Sequence, residues 1–99
     1  MIARTPAFLM ANLGSDISQL FSHLERGESE LAASAARRAR GIMAELLRHK
    51  ELQGRTGEIE VLQHIVSDAL LEKPLLRVTK GELDAYFMPF SMRVLGEGI

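Results

Sequence analysis

Cysteine is absent from this chain of 99 residues. That single absence excludes disulfides, thiol nucleophiles and thiolate zinc sites together, and it agrees with a cytoplasmic compartment, which is the expected location. Tryptophan is absent too, and aromatic residues make up only 5% of the chain, so few rings are available to stack on nucleic-acid bases. No apolar run approaches the roughly 20 residues of a membrane span, and no transmembrane helix is expected. Neither sign of charge dominates: 12 Lys and Arg stand against 13 Asp and Glu, for a net charge of -1 and a pI near 6.3. A dedicated nucleic-acid module is more often strongly basic. Gly-x-Ser-x-Gly elbows and glycine-rich phosphate loops are missing, and Gly54 and Gly57 are too sparse to make one.

What the chain does contain is helix periodicity. Apolar residues recur three and four apart at Met10, Leu13, Ile17, Leu20 and Leu24, at Ala32, Ala35, Ala39, Ile42 and Leu46, at Ile59, Leu62, Val66 and Ala69, and at Leu83, Phe87, Phe90 and Val94. Each stripe needs another to cover it. With 46% hydrophobic residues, the composition is that of a globular chain, and its length makes one domain over 1–99. The pattern predicts an all-α fold, a small antiparallel bundle of about four helices over roughly 5–26, 29–52, 57–72 and 80–95. A chain this short buries only about two thirds of its unfolded surface, so a monomer is marginal.

Local signals set the boundaries. Thr5 and Pro6 suit an N-cap with proline at the first helical position, and Arg26-Gly27 ends that helix. The start of the chain, with one charge and Asn12 interrupting its apolar stretch, fits the first turns of a bundle helix better than a signal peptide. Gly14-Ser15-Asp16 predicts a break or kink, with Ser15 able to cap a second helix. Glu28 and Glu30 begin the second helix and Arg48, His49 and Lys50 close it, the polarity that the helix dipole favours. Thr56 is a plausible cap for the third helix, Thr79 and Glu82 have capping-box spacing before the fourth, and Pro89 is expected to kink or split that one.

Two surfaces stand out. Ala32, Ala35 and Ala39 make the second helix thin, which suits either tight packing inside the monomer or self-association across a two-fold axis. Between residues 37 and 55, Arg37, Arg38, Arg40, Arg48, Lys50 and Arg55 outnumber Glu45 and Glu51, forming a basic band. Acidic residues on both sides, Asp16, Glu25, Glu28 and Glu30 before it and Glu58, Glu60, Asp68 and Glu72 after it, can neutralise the band by interhelical pairing. The segment Tyr86 to Met92 is the densest apolar payload: Phe87 and Phe90 are expected to anchor the core, while Tyr86, Met88 and Met92 lie on another face that a partner can use.

Catalytic signals are lacking. His23, His49 and His64 are isolated and form no i, i+4 pair, so no metal site is expected. Glu28 and Glu30, like Glu58 and Glu60, are two apart and point to different faces of a helix, which prevents joint acid and base work. No cofactor is expected.

The ordered set Leu13-Gly14-Ser15-Asp16-Ile17, Arg26-Gly27 before a helix with Arg38-Ala39, Gly54-Arg55 with Glu58-Ile59 and Leu62, Val66 with Asp68, and Tyr86-Phe87 with Phe90 resembles a group of short prokaryotic all-helical proteins without an established activity. The resemblance implies a shared small helical fold and supplies no mechanism. It draws attention to Gly14, Asp16, Arg38, Arg55, Glu58 and Asp68, for which caps and interhelical ion pairs are sufficient duties.

The expected function is therefore a non-enzymatic helical interaction module that binds itself as a homodimer or docks on another protein. The alternative is a helical accessory subunit for nucleotide or RNA transactions that uses the basic band. Against nuclease-like relatives, no arginine here is followed by histidine at the spacing of the Arg-x(4-6)-His motif of helical ribonucleases.

Overall fold

The computed structural model describes residues 5–49, 57–71, 76 and 78–97, without the side chains of 91 and 93–97. Four helices make up the fold: α1 (Pro6–Glu25), α2 (Ser29–Leu47), α3 (Gly57–Ala69) and α4 (Lys80–Glu97). The architecture is the small all-helical bundle that the periodicity predicts. No helix among the described residues is long and apolar enough to cross a membrane.

The first helix starts as its sequence requires. Thr5 adopts an extended backbone and its hydroxyl accepts the Phe8 N–H at 3.1 Å, while Pro6 takes the first helical position, where a missing donor costs nothing. Its end is a Schellman turn: Gly27 has φ of 71°, the Glu28 N–H donates to the His23 carbonyl at 2.9 Å, and the Gly27 N–H donates to Leu24 at 3.1 Å. Only glycine enters that left-handed conformation without a Cβ penalty. The chain reverses here, and α2 folds back along α1. Arg38 of α2 then reaches Asp16 and Gln19 of α1, the register of an antiparallel helical hairpin.

The expected break at Gly14-Ser15-Asp16 does not occur, because α1 is continuous through all three residues. Gly14 is instead a point of close approach, buried under the ring of Phe87 on α4. Pro89 does not split α4 either. It lies on the solvent side of the helix, where water can satisfy the carbonyl its ring leaves without a donor.

Two helices are shorter than expected. α2 ends at Leu47 rather than near 52, since the Arg48 and His49 N–H groups bond to the carbonyls of Glu45 and Leu46 and tighten the last turn. α3 ends at Ala69 rather than 72 for the same reason, with the Leu71 N–H on the Asp68 carbonyl. The Asp68 carboxylate also accepts the Leu76 N–H at 3.0 Å, which returns the chain toward α4. Thr79 caps α4: its hydroxyl accepts the Glu82 N–H and donates to the Glu82 carboxylate, both at 3.1 Å. The proposed cap Thr56 lies outside the described residues.

The core sits around α1, which packs along both α2 and α4, whereas α3 rests more lightly on α2. Leu9, Leu13, Ile17 and Leu20 of α1, Met43 and Leu46 of α2, and Val66 of α3 are fully buried, with Leu83 and Phe87 of α4 closing the cluster. Each aliphatic side chain so buried stabilises the fold by about 1.5–3 kcal/mol.

Candidate functional site

The alanine stripe is not a surface. Ala32, Ala35 and Ala39, together with Ala36, are 0% exposed within one chain because α1 lies directly on them. Self-association through this face is thereby corrected: the small side chains allow the two arms of the hairpin to approach, and nothing of them remains for a second copy.

The basic band is divided. Arg38 is bound to the fold, its Nε donating to Asp16 at 3.2 Å and its two terminal nitrogens donating to Ser34 at 3.0 Å and Gln19 at 2.9 Å. Arg37, Arg40 and Arg48 are exposed and make no ion pair with a described residue. Arg37 lies on the side of α2 opposite the alanine core stripe with Arg40 beside it, and Arg48 is the C-cap that follows the helix. Lys50 and Arg55, the other two members of the expected band, lie outside the described residues.

The aromatic segment separates differently from expectation. Phe87 is buried in the core. Tyr86 does not join Met88 and Met92 on an outer face. Its ring stands edge-on to Phe87 with centroids 4.9 Å apart, leans on Phe90 at 6.0 Å, and turns toward α3. The residues three and four along the helix from one another that do share an outer stripe are Ala85, Met88 and Met92. Met88 is 56% exposed and Met92 65% exposed. α4 thus carries two exposed methionines on its solvent side, where α1, α2 and α3 each expose one large apolar residue, Phe8, Leu31 and Val61.

Between α3 and α4 lies a cleft of about 290 Å3, walled by Val61, Leu62 and Ile65 of α3 and by Val78, Leu83 and Tyr86 on the other side. Glu58 and Glu82 stand at its edges. A second cleft of about 400 Å3, reaching to Phe21 and Leu24 of α1, meets the first at Ile65 and Val78. The Tyr86 hydroxyl is buried without a hydrogen-bond partner. Burial and the nearby Glu58 carboxylate push its pKa above the ordinary 10.0, although the two side chains do not reach hydrogen-bond geometry.

One further polar cluster sits at the α1 to α2 turn. A single Glu28 oxygen takes His23 Nδ1 at 2.9 Å and Arg26 Nε at 2.7 Å, while Arg26 Nη2 is 3.2 Å from the same histidine nitrogen. The His23 and Arg26 side chains hold the Glu28 carboxyl below its ordinary value of 4.5. Among the described residues no group of three His, Asp or Glu side chains is placed to hold a metal ion.

The cleft residues Val61, Ile65, Val78 and Glu82 were not distinguishable in the sequence as a set. Their only signal was Glu58, which the resemblance had marked. No family model matches the chain, and no curated protein or solved structure is significantly similar to it.

Proposed function

We propose that this chain is a non-enzymatic helical interaction module that self-associates through the outer face of α4. The observation that supports this reading is the exposed stripe of Ala85, Met88 and Met92 on a helix whose opposite face is already buried. A helix that is apolar on both sides is built to be covered on both. The stripe has the alternating three and four spacing of a coiled-coil seam, and in sequence that spacing continues to Leu95.

A second copy is the favoured occupant because of charge. Between Asp84 and Glu97 the only charged residue is Arg93, and the positions bordering the stripe are Asp84, Pro89, Ser91 and Gly96, of which Asp84 is paired with Lys80 at 3.0 Å. Two identical seams meeting across a two-fold axis bring like charges together wherever the rim is charged. Here the one charge on the rim, Asp84, already has Lys80 of the same helix as its partner, and the other bordering residues are uncharged. Methionine conforms to irregular opposing surfaces, which suits a seam lacking leucine or isoleucine at its centre.

Light scattering after size exclusion tests the reading. The wild-type chain is expected at twice its monomer mass, and Met88→Glu with Met92→Glu is expected at the monomer mass with unchanged helicity. Arg37→Glu, on the far helix, leaves the mass unaltered. A monodisperse monomer at the highest attainable concentration overturns the proposal.

The second reading, an accessory subunit for RNA transactions, is supported by the exposed arginines Arg37, Arg40 and Arg48 alone, because Arg38 is already paired. A salt-dependent shift of labelled RNA, abolished when those three become alanine, favours it. No binding at low salt removes it.

A further inference from the structure

The solvent stripe of α4 is tapered. Gly81, Ala85, Met88 and Met92 follow one another along it at helical spacing, and all four are exposed. Gly81 has no side chain and Ala85 a single carbon, whereas the two methionines each carry a full thioether chain. In sequence the next position at that spacing is Leu95. The stripe is thin toward the start of the helix and thick toward its end.

A tapered seam complements itself in one direction only. If two copies of α4 run parallel, Gly81 and Ala85 face their own equivalents across a gap, because the methionines farther along hold the helices apart. Such a gap forfeits the contacts that make burial favourable. If the copies run antiparallel, the thin end of each lies against the thick end of the other, and the pair is of even width.

Charge selects the same direction. The carboxylates near the thin end are Glu82 and Asp84, with Lys80 as the one cation beside them. Parallel copies bring both sets together. Antiparallel copies related by a two-fold axis between Met88 and Met92 set one Asp84 about 18 Å along the helix from the other, beyond the Debye length of about 8 Å at physiological ionic strength. The helix dipoles also oppose one another in that arrangement instead of adding.

We infer that two copies of this chain pair through α4 in antiparallel orientation, with Met88 facing Met92 of the partner subunit and Ala85 facing Leu95 of the partner subunit. This rests on self-association through the outer face of α4, and adds its direction and register.

The absence of cysteine makes the direction measurable by disulfide trapping. Full-length Ala85→Cys and Leu95→Cys chains are mixed, equilibrated while reduced, and treated with oxidised glutathione. A second mixture pairs Met88→Cys with Met92→Cys. Light scattering checks that each reduced variant is still a dimer, and mass spectrometry counts the disulfides. The mixed disulfide is expected to exceed either homodisulfide by about tenfold, because a bridge needs Cα atoms within about 7 Å. Like positions are farther apart: about 15 Å along the helix for residue 85, and about 6 Å for residue 88 added to about 8–10 Å between the axes. Parallel copies give the reverse, Ala85→Cys bridging to itself.

Nitroxide labels supply a measurement that needs no bond. On one border of the seam, the label separation for Asp84→Cys is expected to be longer than for Ser91→Cys, which lies close to the axis, whereas parallel copies give similar separations for both. Excess homodisulfide, a statistical mixture, or equal nitroxide separations in a dimeric chain overturns the direction alone. A wild-type chain at its monomer mass overturns the self-association, and the direction with it.

Discussion

Gly14 of α1 and Phe87 of α4 meet so closely that a Cβ added to the glycine would stand 2.6 Å from the Phe87 Cγ and 2.7 Å from its Cβ. These are the stem atoms of the ring and cannot swing aside. Glycine in a helix interior ordinarily costs about 1 kcal/mol relative to alanine, yet here the missing methyl is what lets α4 lie against α1.

Gly14→Ala is therefore expected to destabilise the protein by a net of about 1–2 kcal/mol, overpacking exceeding the gain in helix propensity. Urea denaturation reads the difference. Gly41, also inside a helix, has nothing within 4 Å of an added Cβ, so Gly41→Ala is expected to stabilise by up to about 1 kcal/mol. Opposite signs for the same substitution separate packing from propensity, and a stabilised Gly14→Ala would contradict the contact.

The same residue shows how far the sequence was legible. Gly14-Ser15-Asp16 has the local chemistry of a helix break, and only the arrival of Phe87 from the other end of the chain explains why it is not one. The Schellman glycine at 27, the Thr5 cap and the Thr79 with Glu82 cap were readable, because each involves neighbours along the chain. Partners distant in sequence were not. An alanine stripe at 32, 35 and 39 looks the same whether α1 or a second copy covers it. Spacing separated Tyr86 from Phe87, but where α3 lies decided which side Tyr86 faced.

Asp16 and Arg38 form the polar counterpart of that contact across the α1 and α2 hairpin. The aspartate is mostly buried and the arginine about half exposed, so solvent screening limits the coupling to about 0.5–1 kcal/mol in a double-mutant cycle at low salt. Coupling that decreases as salt is raised is the expected signature. Arg38→Lys is expected to behave like Arg38→Ala, since one ammonium cannot reproduce the fork that engages Asp16, Ser34 and Gln19 together.

Glu28 places a pH dependence at the turn. Its carboxyl is held below 4.5 in the folded chain by His23 and Arg26, so its contribution is fully present above that value and is lost as pH falls through the lower, folded value. Glu28→Gln is expected to flatten the acid side of the stability curve below about pH 4.5 relative to wild type. The His23 Nδ1 can donate to Glu28 or accept from Arg26, but not both. Nitrogen chemical shifts are expected to show Nδ1 protonated in the wild type and the other tautomer gaining population in Glu28→Gln.

Tyr86 gives the opposite dependence at the alkaline end. Desolvation first, and then the Glu58 carboxylate, raise its pKa above 10.0, so the folded chain keeps the phenolic proton after the unfolded chain has released it. The sign follows directly: the stabilising contribution is complete below about pH 10 and is lost as pH rises through the folded value. Because no other tyrosine contributes, phenolate absorbance reports Tyr86 alone. Its midpoint is expected above 10.0 in the native protein and close to that value in urea. Glu58→Gln should lower the native midpoint without returning it fully, since the larger cause, burial between α3 and α4, remains. A native midpoint at or below the unfolded one would mean that the hydroxyl is solvated, and the cleft that depends on its burial would have to be redrawn.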